Sequence, residues 1–266
     1  MLMDFTDQMQ RTFTLAKTPK RIISLVPSQT ELLYDLGLED CIVGITKFCI
    51  HPYHLKSTKT VVGGTKNIKL EKIKELQPDI ILCNKEENTK EIVEELEALF
   101  PVHVSDVKNI EESLEMIAQY GTMFKCNTEA SKINNKIEYR LKDFKNFVKD
   151  IPVQKVAYFI WRKPWMVAGQ DTFINYLLKL CKFENIYESQ GRYPEVEIKK
   201  IRLEGDPDIV MLSSEPYPFK EEHAFELGRF THHAKTVFVD GEYFSWYGSR
   251  LAKAFDYFKQ LHERLQ

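Results

Sequence analysis

The chain has 266 residues, of which 43% are hydrophobic and 29% are charged, and its formal net charge is −2. This composition is that of an ordinary globular protein, with enough apolar material for a core in each of two domains. The near-neutral charge gives no electrostatic case for a nucleic-acid partner, which would require a strongly basic face.

Strands and helices alternate along the first half of the chain. Strands are expected at residues 21–26, 41–45, 60–62, 79–83 and 101–104, each a short apolar run bounded by turn residues. Ser28 and Glu31 have the spacing of a capping box for the first helix, and Asn67 is expected to cap a helix that ends at Pro78. This alternation predicts a parallel sheet with helices on both faces.

A long helix is expected over residues 126–150. Its apolar residues are spaced by four, four, three and four, which places them on one side of a helix, and they are Ile133, Ile137, Leu141, Phe144 and Val148. Such a helix is about 35 Å long, enough to connect two lobes, although an ordinary surface helix has the same pattern.

The alternation resumes after this helix, with strands expected at 155–160, 208–212 and 236–239 and a closing helix at 249–265. Pro207-Asp208 precedes a strand as Pro78-Asp79 does in the first half. The predicted fold class is therefore α/β, with two lobes that each contain a parallel sheet flanked by helices. The lobes are residues 1–125 and 151–266, and one long backbone helix, 126–150, joins them.

Five cysteines are scattered singly along the chain, without a Cys-x-x-Cys pair: Cys41, Cys49, Cys83, Cys126 and Cys181. Their odd number and wide spacing argue against a disulfide framework or a zinc ribbon. We expect reduced thiols that mainly fill the core.

The sequence contains no run of about 18 apolar residues that would span a bilayer. Its first seven residues include two acids, where a signal peptide has a basic start and an apolar stretch. We therefore expect a protein that is not embedded in a membrane. It would be cytoplasmic as written, or periplasmic or lipid-anchored if a leader has been removed.

Ligands of parallel α/β sheets gather beyond the carboxyl ends of the strands. All three tryptophans are expected in such loops, where aromatic rings and arginines form walls for a bulky ligand. The alternative is that these rings fill the seam between the lobes. The candidate ligand-binding residues at the strand ends are Ser28, Lys66, Lys85, Glu86, Trp161, Arg162, Trp165, Glu215, Tyr217, Trp246, Tyr247 and Arg250.

Cys49, His51 and His54 are weak candidates for a metal site, because their spacing matches no common site and no fourth ligand is evident. We expect no resident metal and no required cofactor. An alternative hypothesis is a thiol-dependent enzyme that uses Cys49 with His51 or His54 as its base. No serine-nucleophile elbow, zinc-protease helix or phosphate-binding loop supports another enzyme class.

Three runs of sequence carry a resemblance to a known family: residues 21–31, residues 61–64 ahead of 70–73, and residues 76–81. They resemble the helical-backbone (class III) periplasmic binding proteins, which serve vitamin B12 and iron–siderophore importers. Residues 193–196 and 207–210 look like the second lobe of that family. The resemblance implies two α/β lobes joined by one long helix.

The resemblance to the B12 binders also implies residues that line the cleft, namely Pro27, Phe48, Thr65, Tyr193 and the loop from Tyr243 to Trp246. A cleft tryptophan of those proteins is absent here, with Thr65 or Lys66 near its place. In the importers, one acidic residue on each lobe docks onto the ABC permease. Glu71 matches the first, whereas Lys199 and Lys200 stand where the second is expected, with Glu197 slightly displaced.

The function expected from the sequence is a substrate-binding protein without enzymatic activity. Its ligand would be cobalamin-like or a chelated metal of the siderophore type, held between the lobes. An ABC permease is a partner by resemblance, although the lysines at the second position make docking doubtful.

Overall fold

The structure is a computed structural model that describes residues 2–265. The chain forms two compact units. The first unit is Met1–Glu138 with Tyr247–Ala252, and the second is Tyr139–Trp246 with Lys253–Gln266. The strands are β1 (Met3–Thr6), β2 (Thr12–Leu15), β3 (Ile22–Ser24), β4 (Ile42–Ile45), β5 (Thr60–Val61), β6 (Ile80–Asn84), β7 (Val102–Ser105), β8 (Gln154–Trp161), β9 (Met166–Val167), β10 (Phe183–Asn185), β11 (Ile209–Ser213) and β12 (Lys235–Val239).

The helices alternate with these strands, and two 3-10 turns at Glu39–Cys41 and Ile198–Lys200 accompany them. The helices are α1 (Pro27–Asp35), α2 (Leu55–Thr58), α3 (Leu70–Leu76), α4 (Lys90–Glu97), α5 (Ile110–Phe124), α6 (Asn127–Val148), α7 (Phe173–Leu180), α8 (Ile201–Glu204), α9 (Glu221–Gly228), α10 (Gly241–Ser245) and α11 (Leu251–Leu265).

The first unit is built on a parallel sheet with the strand order β5-β4-β3-β6-β7. Its central strands read as continuous apolar runs because both faces are covered. Ile23 and Ile81 are fully buried in a core that helices α3 and α4 help to close. An antiparallel pair, β1 and β2, precedes this sheet, and the sequence analysis missed it.

The second unit contains a sheet with the order β10-β8-β11-β12, in which these neighbours are parallel. Strand β9 pairs antiparallel with β8, so this sheet is not wholly parallel as predicted. Ala157, Phe159 and Val210 lie in its core. The fold class, α/β units with parallel sheets flanked by helices, is confirmed.

Helix α6 is a single helix of 22 residues, as the apolar stripe predicts. The division between the two units falls inside it, between Glu138 and Tyr139. The segment Tyr247–Ala252 belongs to the first unit, so the chain also returns to that unit near its C-terminus. No pattern in the sequence predicted this return.

The repeated Pro-Asp pair has the same structural role in each unit. The Asp79 carboxylate accepts hydrogen bonds from the backbone N–H groups of Lys20 and Arg21, at 2.8 and 3.0 Å, just before β3. The Asp208 carboxylate accepts from the Lys155 N–H at 2.8 Å, at the start of β8. In both sheets the aspartate thus satisfies a backbone donor where the neighbouring strand begins.

Two capping predictions are wrong. Helix α1 begins at Pro27 after an N-cap at Val26 with no side-chain cap, and helix α3 begins after Lys69 rather than Asn67. Proline fits the first turn because its missing N–H would have no helical partner there. None of the helices in residues 2–265 combines the length and apolar character that a membrane crossing requires.

Candidate functional site

Hydrogen bonds link the loops beyond the carboxyl ends of the first unit's strands. The Lys47 N–H donates to the Gly63 carbonyl at 2.8 Å, and the Asn88 side chain donates to the Thr65 carbonyl at 3.0 Å. The loops that follow β4, β5 and β6 therefore form one edge, where the sequence placed five of the candidate residues: Phe48, Thr65, Lys66, Lys85 and Glu86.

Phe48 and Lys66 are the candidate side chains most accessible to solvent on the loops after β4 and β5. The Phe48 ring is 49% exposed, and the Lys47 ammonium lies 4.9 Å from its centroid. Thr65, Pro27 and Ser28 are buried, the last two in the first turn of α1. The Lys66 ammonium donates to the Glu86 carbonyl, which links the loops after β5 and β6.

Glu87 is a residue that sequence reasoning missed at this edge. Burial raises the pKa of its carboxyl, partly offset by Lys66, while the neighbouring Glu86 raises it further. A perturbed acid beside a strand end marks a functional-site candidate. Lys85 in the same turn points to Asp106, at 2.9 Å.

Tyr247 and Arg250 are held within the first unit. The Tyr247 hydroxyl accepts a hydrogen bond from the Gln29 side chain and contacts the Ser105 hydroxyl, both at 3.1 Å. The Arg250 guanidinium donates to both carboxylate oxygens of Glu31, at 2.7 and 3.1 Å, and both side chains are 7% exposed. These contacts give the two residues a structural role, and their contact with a ligand stays a prediction.

The second unit presents an aromatic cluster near the carboxyl end of β8. Trp161 is the last residue of β8, not a loop residue as expected, and it is 39% exposed with its ring edge-on to Tyr217 at 5.5 Å. Trp165 stacks on Phe219 at 5.9 Å. We define the aromatic cluster by its ring contacts as Trp161, Trp165, Tyr217, Phe219 and His223.

Phe219 and His223 escaped sequence reasoning because no spacing relates them to the tryptophans. The Tyr217 hydroxyl lies 3.3 Å from the His223 Nε2 atom. Arg162 is 5.2 Å from the Trp165 ring, and its guanidinium pairs with Glu226 at 2.6 Å. The guanidinium is thus held over an aromatic face by a carboxylate.

Trp246, Glu215 and Tyr243 are engaged elsewhere in the second unit. The indole N–H of Trp246 donates to the Glu215 carboxylate at 2.8 Å, and the Trp246 side chain is buried. Tyr243 lies inside helix α10, not in a loop, and stacks on Tyr257 at 4.7 Å. Tyr193 is half-buried on a segment whose neighbours hydrogen-bond to residues at and after β9.

The weak metal and thiol candidates do not assemble. Within residues 2–265, Cys49, His51 and His54 do not bring three ligand atoms within 4.8 Å of one another.

Cys49 is buried beside the Thr30 and Thr46 hydroxyls, and burial raises the pKa of its thiol. His54 instead contacts Glu39 at 2.6 Å. A nucleophilic thiol needs a lowered pKa, so these contacts do not support the thiol-enzyme alternative. All five cysteines are free.

Two polar surface depressions, of about 410 and 430 Å³, lie within the second and first units respectively. Neither is lined by a candidate ligand-binding residue. We give more weight to the strand-end residues, because parallel α/β sheets bind ligands at that edge.

Comparison with known proteins bears on what this edge does. Residues 22–229 match the sequence profile of a family described as periplasmic binding protein. A Bacillus subtilis (strain 168) protein, the uncharacterized ABC transporter substrate-binding lipoprotein YvrC, is 27% identical over 213 residues, covering 77% of this chain and 67% of the relative. The vitamin B12-binding protein of Vibrio vulnificus (strain YJ016) is 27% identical over 191 residues, or 69% of this chain and 68% of the relative.

Among solved structures, the periplasmic vitamin B12 binding protein BtuF of Vibrio cholerae has a similar fold, with a TM-score of 0.79. It is 22% identical and covers 93% of this chain and 98% of its own.

Proposed function

The chain belongs to the periplasmic binding protein family, and from that membership we propose that it binds a corrinoid or a similar large, partly flat, polar-edged molecule. A catecholate or hydroxamate complex of iron is the second candidate. The ligand is cargo on this account, and the protein carries out no chemistry on it.

The observation that carries the proposal is the aromatic cluster at the end of β8. Broad rings that are partly open to solvent favour a flat ligand over a bare ion or a sugar. Trp161 contributes the most exposed ring of the tryptophans, and Tyr217 supports it edge-on. Arg162 supplies fixed N–H donors beside these rings that suit carboxylate, phosphate or amide groups at the rim.

The first unit, taken by itself, carries a more polar candidate surface at its strand ends. Phe48 provides an exposed ring, and Lys66 provides a cation near the half-buried Glu87. A corrinoid has a rim of amides, which such polar groups suit. Glu87, which has a raised pKa, is expected to offer a proton donor to an amide carbonyl when it is protonated.

We extend the proposal to the partner and the location of the protein. The names of the relatives describe an ABC transporter lipoprotein and a periplasmic protein, which supports a role outside the cytoplasm. Glu71, the candidate for permease docking, is exposed on helix α3 and pairs with Lys74 at 2.9 Å. Glu197 is also exposed and pairs with Lys200 at 2.7 Å, which leaves Lys199 beside it.

Equilibrium dialysis against coloured ligands tests the proposal. The panel is cobalamin, cobinamide, haem and ferric complexes of a catecholate and of a hydroxamate siderophore, each read by its own visible absorption. We expect one of them to bind below about 100 μM, which is a binding free energy of about −5.5 kcal/mol. If none of the five binds at that level, the proposed ligand class is wrong.

A further inference from the structure

Two loops meet at the amino ends of strands β11 and β12, the opposite edge of the second unit's sheet from the aromatic cluster. Asp206 and Asp208 precede β11, and His232 and His233 precede β12. Since β11 has five residues at about 3.3 Å each, the two edges are separated by about 16 Å. This group is therefore separate from the proposed ligand site.

Asp206, His232 and His233 each place one ligand atom within 4.8 Å of the other two, the one such His/Cys/Asp/Glu group in the described part of the chain. The His233 Nδ1 atom is 3.9 Å from the Asp206 Oδ2 atom. Nitrogen and oxygen ligands about 2.0–2.1 Å from a tetrahedral ion are about 3.3 Å apart. The His233 and Asp206 atoms therefore need to close by only about half an ångström, and the His232 ligand atom, within 4.8 Å of both, by no more than about 1.5 Å. Both histidines are exposed and can rotate.

Asp208 orients the His233 ring for this purpose. The His233 Nε2 atom lies 3.2 Å from the Asp208 Oδ1 atom, so Nε2 carries the proton in the neutral ring. That tautomer leaves the lone pair of Nδ1 directed toward Asp206. A carboxylate that holds the far nitrogen of a histidine is the usual outer partner of a metal-binding imidazole.

Asp208 is itself fixed in place. Its Oδ2 atom accepts from the Lys155 N–H at 2.8 Å, and its carbonyl accepts from the Lys235 N–H at 2.9 Å. Asp206, by contrast, has one carboxylate oxygen that accepts no hydrogen bond from the described residues. Its Oδ1 atom is buried and has no hydrogen-bond partner among residues 2–265, a costly arrangement for a carboxylate. A bound cation would offset the negative charge of that carboxylate.

We propose that Asp206, His232 and His233 bind a divalent first-row transition-metal ion of the Zn²⁺ class, with water in the remaining position. Two imidazoles and one carboxylate suit such ions, whereas Ca²⁺ and Mg²⁺ prefer ligand sets made only of oxygen. The ion bridges the loops before β11 and β12. Because it binds the folded protein, it stabilises the second unit in proportion to its occupancy.

Calorimetric titration of the untagged full-length protein with Zn²⁺ tests the site, and the visible spectrum of the Co²⁺ form reports the coordination. We expect one ion per chain, a rise in the melting temperature with Zn²⁺, and binding at least about tenfold weaker in His232→Ala, His233→Ala and Asp206→Asn. His54→Ala, which removes an exposed histidine of the first unit, is the matched control and should leave binding unchanged.

Three results would overturn the proposal. The first is that the wild-type protein binds neither Zn²⁺ nor Co²⁺ below about 100 μM, a binding free energy of about −5.5 kcal/mol. The second is that His232→Ala, which leaves the His233–Asp208 contact in place, binds as tightly as the wild type. The third is that Asp206→Asn keeps full affinity, because an exposed histidine pair alone would then explain the binding.

Discussion

The buried ion pair between Glu31 and Arg250 makes the stability of the first unit depend on a residue near the C-terminus. Both side chains are 7% exposed, and the guanidinium contacts both carboxylate oxygens, at 2.7 and 3.1 Å. Arg250→Met keeps most of the side-chain volume but removes the charge. Glu31 then stays buried without this guanidinium, which typically costs 3–5 kcal/mol.

The first unit offers a matched control in Lys74, which pairs with Glu71 at 2.9 Å with the two side chains 43% and 80% exposed. Water screens such a pair, so Lys74→Met should cost no more than about 1 kcal/mol. All three tryptophans lie in the second unit, so their fluorescence does not report on the first. Hydrogen–deuterium exchange of helix α1 is therefore the assay.

A loss of 3 kcal/mol corresponds to exchange in helix α1 that is about 100-fold faster when these amides exchange by unfolding of the unit. The double variant Glu31→Gln/Arg250→Met should recover part of the loss, because no unpaired charge remains buried. The proposed role of the ion pair is refuted if Arg250→Met accelerates exchange no more than Lys74→Met does.

Three other residues give shorter tests. Iodoacetamide at pH 8 should label half-buried Cys41 of the native protein before Cys49, since burial raises the pKa of the Cys49 thiol, and the reverse order would revive the thiol-enzyme alternative. The raised pKa of Glu87 means that the folded state holds its proton more tightly than the unfolded chain, so stability falls as pH rises from about 4.5 through the folded-state pKa. Glu87→Gln should remove that fall in urea unfolding measured across this pH range, and identical pH profiles would show that the pKa is not raised. In pull-downs against the host's B12-type and siderophore-type permeases we expect weak capture, because the lysine pair repels an arginine pocket, whereas strong capture lost in Glu71→Ala would contradict this.

Most strands of both sheets could be predicted because their signals are local. Apolar runs such as Ile80–Asn84 and the stripe along α6 are readable within a window of a few residues. The capping box failed because Glu31 forms its ion pair with Arg250, 219 residues away in sequence. The β1–β2 pair and the short strands β9 and β10, which the sequence did not predict, carry too few residues for a clear period.

Only the part of the candidate site that follows from the order and direction of the strands was predictable. Strand ends indicate which loops share an edge, which led to Trp161 and Tyr217. The stack of Trp165 on Phe219 and the burial of Glu87 depend on tertiary contacts, which the spacing of residues along the sequence does not indicate. Trp246 was predicted from the sequence to line a ligand site. In the structure its side chain is buried and its indole N–H donates to Glu215.

The role of the aromatic cluster as a ligand-binding surface is tested by the affinity of Trp161→Ala for the tightest ligand of the dialysis panel. Truncating an aromatic residue that anchors a ligand typically costs about 2 kcal/mol, so Kd should rise about thirtyfold. Phe238→Ala is the control, because Phe238 is 43% exposed against 39% for Trp161 but lies within edge strand β12. We expect a large loss of affinity for Trp161→Ala and none for Phe238→Ala. Equal affinities in the two variants would contradict this expectation and would leave the aromatic cluster as packing.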